Sequence, residues 1–480
     1  MAKKLLKIIF PLLVFFLTFI PRLYRLDNPV ADWHSWRQAD TAAVARNFVK
    51  TRFNLLYPQS DSLLPLNPQQ LPNPDRLFIN EFPVYNAIVA LLYQQFGIRE
   101  ALARLVSITF ASLGAVFLYL LTRQLFNRKT ALVASLFYAF NPYNIYYGRV
   151  IMPDPMFVSL SIISLYLFIN WIKSQKWSHA ILLSLVFSLA MLVKPYAAFM
   201  IIPMAYWALL KRGKTIFRQP QAYVIALLSL TPFLLWRYHY QLHPEANFDT
   251  VWLFNQTNIR FTGAFFRWLI FDRLNRLILA TGGFVLFIVG ILKSYQDKKG
   301  GLIFTWLLSL LLYMTIFAMG NVTHDYYQLP IMPVASILVS LGFWFIINLS
   351  KKPLVKTLNL LIALSLLVIS FAFGWYEVRG FFNINRPEIV LAGQAVDKLT
   401  PPDALVIAPY QADPAFLYQT NRYGWPLGVD IEAKISQGAT HYISVNHDDV
   451  ANWLANQCSV LQDTPDYILI DLQPCQHLAD

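Results

Sequence analysis

Long apolar runs recur along residues 1–375, and short polar or basic links separate them. A helix needs ~20 predominantly apolar residues to cross the ~30 Å hydrocarbon core of a bilayer, and most of these runs approach that length. The pattern predicts a polytopic α-helical membrane protein with about eleven transmembrane helices. The expected spans lie near residues 5–21, 101–122, 131–148, 156–172, 178–193, 197–210, 221–237, 277–293, 302–319, 328–349 and 354–375.

One apolar run is too short to cross the bilayer. "VYNAIVALLYQQFG" (Val84–Gly97) extends only about 21 Å as a helix, because each residue adds ~1.5 Å. We expect this segment to be a helix that lies in the outer interface or dips into it. If this segment does not cross, successive spans cross the membrane in alternating directions and every basic link lies on the same side of the membrane.

The pattern changes from about Gly380. "ALVIAPY", "THYISV" and "DYILIDL" are short continuous apolar runs that predict buried strands. Between them, "DPAFLYQT", "DIEAKISQG" and "DVANWLANQ" predict short helices with an aspartate at or near the start. We therefore expect a transmembrane domain over residues 1–375, with a first outer loop at 22–100, and a small C-terminal α/β domain over 376–480.

Composition supports the membrane class, since 56% of residues are hydrophobic and 14% are charged, against roughly 25% charged in soluble domains. The net charge of +13 does not indicate a nucleic-acid partner. Lys and Arg concentrate in the short links between spans, whereas the tail after residue 376 is rich in acids. This asymmetry follows the positive-inside rule. It predicts a multi-pass inner or plasma membrane protein surrounded by membrane lipids, with the first loop and the C-terminus extracytoplasmic.

Two carboxylates lie on separate segments that we place on the outer face. Asp32, in "DWHSWRQADTA", follows the first span, and Asp154 ends the turn "GRVIMPDP". Such a pair can supply a catalytic base and a group that orients the substrate. Structural roles are also open: Asp32 could cap the helix predicted from "HSWRQADTAAVARNF", and the Asp-Pro pair at residue 154 is common at helix starts.

Cationic side chains accompany these acids. Arg37 and Arg149 carry guanidinium groups that form bidentate pairs with phosphate, although interfacial anchoring or a salt bridge is an alternative role. Lys194, in "LVKPY", could bind a phosphate, but we favour snorkelling to the headgroups. Asp40 lies eight residues after Asp32 in the predicted helix, where it could face the same rim.

A third outer segment, "GNVTHDYYQLP", adds aromatic and polar side chains. Its tyrosines suit an aromatic belt or stacking on a sugar. The ligand spacing of His324 and Asp325, taken with Glu81, is too loose to indicate a metal site, so we expect no metal and no cofactor. Cys458 and Cys475 lie in the extracytoplasmic tail, where a disulfide could form or not. The further residues that we place in substrate binding are Asp40, Glu81, His324, Asp325 and Tyr327.

Several stretches, in order, resemble the GT-C membrane glycosyltransferases that use polyprenyl-phosphate sugars. The resemblance is to the bacterial relatives of protein O-mannosyltransferases and of the lipid A aminoarabinose transferase. It is carried by "DWHSWRQADTA", "NEFPVYNAIVALLYQQFG", the stretch from "REALARLVSITF" to "YNIYYGRVIMPDP", "HDYYQLPIMP" and "NRYGWPL". It is strong over residues 1–210, looser through the middle and modest in the tail.

The resemblance implies a glycosyltransferase that moves a sugar, hexosyl or pentosyl, from a polyprenyl-phosphate donor to an acceptor hydroxyl with inversion. The acceptor is a lipid, a glycan or a protein. Asp32 matches the family's proposed catalytic base, and Asp154 matches its second-loop acid. Where the family has a lysine before the interfacial helix, this sequence has Phe82, in "EFP". Phenylalanine cannot bind phosphate, so we expect Arg37, Arg149 or Lys194 to take that role.

Two other classes remain open. A transporter or flippase predicts ionisable residues or broken helices at mid-depth, usually in repeated halves, and no such repeat is evident in the sequence. A catalytically inactive membrane anchor for the outer α/β domain is the third interpretation.

Overall fold

The computed structural model describes residues 2–65, 67–295 and 299–475, apart from the side chains of residues 2–7. The chain folds as two compact units. The first comprises Met1–Leu26, Leu105–Arg237 and Thr250–Phe381, and the second comprises Asp27–Arg104, Tyr238–Asp249 and Phe382–Asp480.

The first unit is helical. Its helices and helical turns are Ala2–Phe19, Ile20–Leu23, Arg128–Phe140, Pro142–Tyr147, Asp154–Ser174, Trp177–Val193, Pro195–Met200, Ile201–Arg212, Gly213–Arg218, Trp252–Asn255, Gln256–Phe261, Gly263–Phe266, Arg267–Leu279, Gly282–Tyr295, Gly300–Ile316, Ala318–Thr323, Asp325–Ile331, Met332–Ile347 and Pro353–Val378. The helices Glu100–Leu125 and Pro220–Gln241 and the turn Arg379–Phe382 contribute residues to both units.

Several helices in the described residues are suited to a bilayer. Those long and apolar enough to cross it are Glu100–Leu125, Asp154–Ser174, Asp325–Ile347 and the run Pro353–Leu399. Shorter apolar helices are Ile8–Leu23, Trp177–Val193 and Gly300–Ile316. The helical content and the apolar helices agree with the predicted class, while the count of about eleven spans stays a prediction.

The predicted span at 277–293 is wrong as a single straight helix. Gly263–Leu279 and Gly282–Tyr295 meet at an angle of 109°. Ala280 and Thr281 cause the break, because both adopt a positive φ, 48° and 46°, that a right-handed helix cannot continue.

The predicted span at 131–148 is likewise interrupted. The helix Arg128–Phe140 ends at Asn141, which is extended, with ψ 122°. The Asn141 side chain accepts a hydrogen bond from the backbone N–H of Asn144, and Pro142 opens the next short helix. Asparagine at the cap followed by proline at the first helical position is a strong signal for a new helix start.

Glycines allow two helices of this unit to approach closely. A Cβ on Gly290 would lie 1.9 Å from the carbonyl oxygen of Leu338, and one on Gly342 would lie 2.0 Å from that of Leu286. Small residues at such contacts let helix backbones meet in a membrane. The pair Gly282–Tyr295 and Met332–Ile347 therefore depends on these two positions having no side chain.

Replacing Gly290 with alanine should lower the thermal stability of the protein. The added methyl meets a backbone carbonyl that cannot rotate away, and overpacking of this kind typically costs ~1–3 kcal/mol. Gly263→Ala is the matched control, because a Cβ there meets nothing within 4 Å. Melting in detergent measures both variants, and equal melting temperatures would contradict the expected close packing.

The second unit contains a five-stranded sheet. Its helices are Ser35–Lys50, Val84–Phe96, Pro244–Ala246, Pro387–Leu399, Pro414–Gln419, Ile431–Ser436 and Asp449–Ala455. In chain order, β1 is Leu405–Ile407, β2 Tyr423–Trp425, β3 His441–Ser444, β4 Ser459–Asp463 and β5 Ile468–Asp471. The sheet order is β2-β1-β3-β5-β4. β1 pairs in parallel with β2 and β3, whereas β5 pairs antiparallel with β3 and β4.

Three of these strands, β1, β3 and β5, lie where the apolar runs place them, and the pattern missed β2 and β4. β4 is mostly exposed, so it has no continuous apolar run to reveal it. The predicted helices also form, and Asp413 and Asp448 cap two of them through their side chains. Cys458 and Cys475 form a disulfide.

The first-loop segment pairs with the edge of this sheet. Ser62 forms a parallel bridge with Gly424 of β2. The backbone N–H of Leu63 donates to the Gly424 carbonyl, at 2.8 Å. Gly424 has a φ of +151°, and a Cβ there would lie 1.9 Å from the Val406 carbonyl oxygen, so only glycine fits. Residues of the first loop and of the tail thus share one fold.

Candidate active site

Asp32 lies in the second unit, in the turn that enters the helix Ser35–Lys50. Its side chain is 4% exposed. The Gln38 side-chain amide donates to Asp32 Oδ1 at 2.6 Å and also to the Trp33 carbonyl at 3.1 Å. The N-cap residue of the helix is His34, with a φ of +56° and no side-chain cap. Asp32 therefore lies two residues before the N-cap position, and a capping role for its side chain stays an alternative.

Arg37 and Glu81 form an ion pair. Arg37 Nη2 lies 2.7 Å from both carboxylate oxygens of Glu81. Glu81 precedes the helix Val84–Phe96, and the Asn86 side chain on that helix donates to the Thr41 carbonyl at 2.7 Å. These contacts fix the short apolar helix against the helix that carries Arg37. The helix predicted at Val84–Gly97 is present, and its depth in the membrane stays a prediction.

Asp40 lies in an environment that disfavours its charged form. Burial raises the pKa of Asp40 to about 7; the Arg37 charge opposes this, and Asp413, Asp61 and Glu81 add to it. Asp40 is therefore partly protonated near neutral pH, unlike an ordinary aspartate.

Asp40→Asn should stabilise the protein increasingly as pH rises. The folded state holds the Asp40 proton up to about pH 7, whereas the unfolded carboxyl loses it near pH 4. Ionisation therefore destabilises the folded state through this window. The melting temperature of the variant should exceed that of the parent more at pH 8 than at pH 5. The exposed Asp430, changed to asparagine, is the control, and a pH-independent difference would contradict the assignment.

In the first unit, Asp154 and Lys194 form a buried ion pair. Lys194 Nζ lies 3.2 Å from Asp154 Oδ1, and both side chains are almost wholly buried. Asp154 is the first residue of its helix, and Lys194 follows the end of Trp177–Val193. The favoured prediction that Lys194 snorkels to the headgroups is wrong, because the lysine is 4% exposed and held by a carboxylate.

Aromatic rings surround the Lys194 ammonium. Nζ lies 5.8 Å from the ring centroids of Tyr196 and Tyr326, and 5.6 Å from that of Tyr327. At these distances the ring faces attract a cation. The His324 ring stacks on Tyr327, with centroids 5.8 Å apart. Lys194 thus brings together Asp154, Tyr327 and, through the stacked ring, His324.

Asp325 is buried and held from several sides. The Tyr147 hydroxyl donates to Asp325 Oδ1, and the Tyr143 hydroxyl donates to its backbone carbonyl at 2.6 Å. Arg273 Nη1 lies 4.0 Å from Asp325 Oδ2. These contacts secure the helical turn Asp325–Ile331, which carries Tyr326 and Tyr327.

Arg149 is fully buried, next to the turn that leads to Asp154. Its guanidinium carbon lies 5.8 Å from the Tyr146 ring centroid. The Ser107 hydroxyl donates to the Val150 carbonyl at 2.6 Å and holds the turn in place. Arg149 is therefore part of the packed interior rather than an interfacial anchor.

The predicted residues fall into two groups, one in each unit. The second unit holds Asp32, Arg37, Asp40 and Glu81, and the first holds Arg149, Asp154, Lys194, His324, Asp325 and Tyr327. Sequence reasoning missed Gln38, Tyr196 and Arg273. Gln38 could have been identified from the sequence, because it is a polar residue in the first turn of the predicted helix, six residues after Asp32. Over the described residues, no three His, Cys, Asp or Glu side chains are arranged to hold a metal ion.

Residues 80–238 match the family described as dolichyl-phosphate-mannose-protein mannosyltransferase. The matched stretch contains Glu81, Arg149, Asp154 and Lys194. No curated protein matches the sequence at a significant level.

Several solved structures are similar over most of the chain. The crystal structure of ArnT from Cupriavidus metallidurans bound to undecaprenyl phosphate has a TM-score of 0.67 and 14% identity, covering 100% of this chain and 99% of its own. The apo state of the same protein has a TM-score of 0.66 and 15% identity, covering 100% of both chains. The archaeal oligosaccharyltransferase AglB from Archaeoglobus fulgidus, in complex with an inhibitory peptide and a dolichol-phosphate, has a TM-score of 0.57 and 10% identity, covering 93% of this chain and 70% of its own.

These findings confirm the resemblance to GT-C glycosyltransferases that the sequence predicts. At identities this low, the structural likeness establishes the fold, which is that of ArnT and AglB. Together with several apolar helices, the fold makes this chain a multi-pass membrane protein.

Proposed function

We propose that this chain is a glycosyltransferase that moves a sugar from a polyprenyl-phosphate donor to an acceptor hydroxyl on the outer face of the membrane, with inversion. Support comes from the match to the mannosyltransferase family and from a fold shared with ArnT, which was crystallised with undecaprenyl phosphate, and with AglB, which was solved with a dolichol-phosphate. In the sequence motifs that carry the resemblance, Asp32 and Asp154 stand where that family has its proposed base and its second-loop acid.

The observation that carries the proposal is the buried pair of Asp154 and Lys194. Removing two charges from water is costly, and the mutual attraction of a buried pair often does not offset that cost. Ionisable groups held in such a position more often serve function than stability. A lysine ammonium is a compact point charge suited to phosphate, and the tyrosines around it add attraction without adding negative charge.

In the proposed reaction, Lys194 and Arg149 bind the donor phosphate. Asp32 accepts the proton of the acceptor hydroxyl, and Gln38 holds its carboxylate in place. The hydroxyl oxygen attacks the anomeric carbon from the side opposite the phosphate, so the configuration inverts. The bond from the anomeric carbon to the phosphate oxygen breaks, and its electron pair leaves with the polyprenyl phosphate. The cations stabilise the negative charge that develops on this leaving group.

Arg37 has a different role in this scheme. Its pairing with Glu81 ties the helix Ser35–Lys50 to the segment before Val84–Phe96. We assign to this pair the positioning of the loop that bears Asp32. We also assign a positioning role to Asp325. Its contacts with Tyr147 and Arg273 hold the turn that carries Tyr326 and Tyr327.

A transfer assay with the purified protein tests the proposal. The protein is incubated with a panel of polyprenyl-phosphate sugars, both hexoses and pentoses, and release of polyprenyl phosphate is measured with and without acceptor fractions from cell envelopes. We expect acceptor-dependent release with at least one donor. Protein-dependent movement of intact donor across vesicle membranes, with no release from any donor, would support a flippase and contradict the proposal.

A further inference from the structure

A polar cavity of about 670 Å³ lies within the second unit. Trp36, in the first turn of the helix Ser35–Lys50, lines one part of it. Arg386 lines another part, and the remaining lining residues lie at 409–414 after β1 and at 444–448 at the end of β3. Its volume is in the range of small-molecule sites, which are ~300–1,000 Å³.

Several hydrogen-bonding groups of the lining have no partner among the residues that the structure describes. These are the Tyr410 hydroxyl and the side-chain amides of Gln411 and Asn446. Asp413 and Asp448 each use one oxygen, Oδ1, to accept from a helix N–H, that of Ala415 at 2.8 Å and that of Ala451 at 2.9 Å. Donors and acceptors are thus interspersed around the lining, as a ligand with many hydroxyl groups requires.

The charge of the lining argues against a phosphate. Of the lining residues, all of which the structure describes, Arg386 is the one cation, and Asp413 and Asp448 are carboxylates. Arg386 is also engaged, because it donates to Glu388 and lies 5.7 Å from the Tyr410 ring centroid. An acyl chain fits no better, since it would bury the amide and hydroxyl groups without partners.

Aromatic side chains supply the apolar part of the lining. Trp36 and Tyr410 are both half-buried, so each leaves part of its ring accessible. Tryptophan and tyrosine combine a large flat apolar face with a polar edge. A sugar ring matches this pattern, because one of its faces carries C–H groups while hydroxyls surround its rim.

We propose that this cavity binds the saccharide portion of the acceptor, so that the acceptor is a glycan or a glycoconjugate. The inference rests on the proposed function and names the substrate class of the same enzyme. Trp36 follows Asp32 by four residues, and the Ser35 N–H donates to the Asp32 carbonyl at 3.0 Å. The proposed base and the cavity therefore share one helix start.

Binding of neutral trisaccharides to the full chain tests this inference. Maltotriose, chitotriose and mannotriose are titrated separately into protein in phosphatidylcholine nanodiscs, which avoids detergents with sugar headgroups. Saturation-transfer NMR follows the sugar protons. We expect saturable binding of at least one trisaccharide, weakened about tenfold or more by Trp36→Ala and by Asn446→Ala. Trp177→Ala removes an exposed tryptophan outside the second unit and should leave binding unchanged.

The outcomes separate this inference from the proposed function. Asp32→Asn should bind the trisaccharide like the parent, because the base is not needed for binding. Absence of saturable binding by all three sugars, or equal binding by the parent and both cavity variants, overturns the saccharide site. Tyr410→Phe is a milder variant that keeps the aromatic ring and is expected to fold. It should still weaken trisaccharide binding, because it removes one hydroxyl from the lining. Polyprenyl phosphate release by Asp32→Asn, measured separately, bears only on the proposed function.

Discussion

Asp32→Asn is expected to lower turnover by about 10²–10⁴-fold, which is the usual contribution of a general base. Asparagine keeps the shape of the side chain, and its carbonyl oxygen can still accept the hydrogen bond from Gln38. It cannot take the proton of the acceptor hydroxyl. Asparagine is also as good a helix-capping residue as aspartate, so expression and donor binding should be nearly unchanged. Single-turnover sugar transfer at saturating donor is the appropriate measurement.

Asp27→Asn is the matched control for this experiment. Asp27 is an exposed aspartate five residues earlier in the same unit, so its loss should leave turnover intact. Asp40 offers a second comparison, since it lies on the helix that follows Asp32. Near-normal turnover in Asp32→Asn together with its loss in Asp40→Asn would falsify the assignment and move the base along the helix.

Separating the charges of Asp154 and Lys194 should give the largest effect on stability. Lys194→Met leaves the Asp154 carboxylate buried without its cation, and breaking a buried pair typically costs ~3–5 kcal/mol. Asp154→Asn combined with Lys194→Met removes both charges at similar volume, so the double variant should recover most of this loss. Thermal melting of the single and double variants in detergent measures the coupling.

Donor affinity distinguishes a structural pair from a functional one. If Lys194 binds the donor phosphate, the double variant regains stability but not affinity, because a charge-assisted hydrogen bond worth ~1.5–3 kcal/mol is still missing. Binding of a polyprenyl-phosphate sugar should then be weaker by about tenfold to a hundredfold. Full recovery of both stability and donor affinity would show that the pair only holds the fold together.

Residue type and position after an apolar run were enough to select Asp32, Asp154 and the nearby cations as candidates, and their chemical roles stay predictions. Their partners were not identified, because Arg37 and Glu81, like Asp154 and Lys194, are about forty residues apart in the chain. A pattern of apolar and polar positions carries no information on which distant side chains meet, and for this reason snorkelling was favoured for Lys194.

Local patterns by themselves determined the apolar helices, the short helix at Val84–Phe96 and the strands β1, β3 and β5. Each of these elements is encoded within one continuous segment, by the spacing of its apolar residues and by the capping residues at its ends. The tertiary structure alone decided the 109° bend between Gly263–Leu279 and Gly282–Tyr295. It also joined residues 61–63 to Gly424 and paired Cys458 with Cys475. These features depend on contacts between distant segments, whose free energy appears only when the chain is folded.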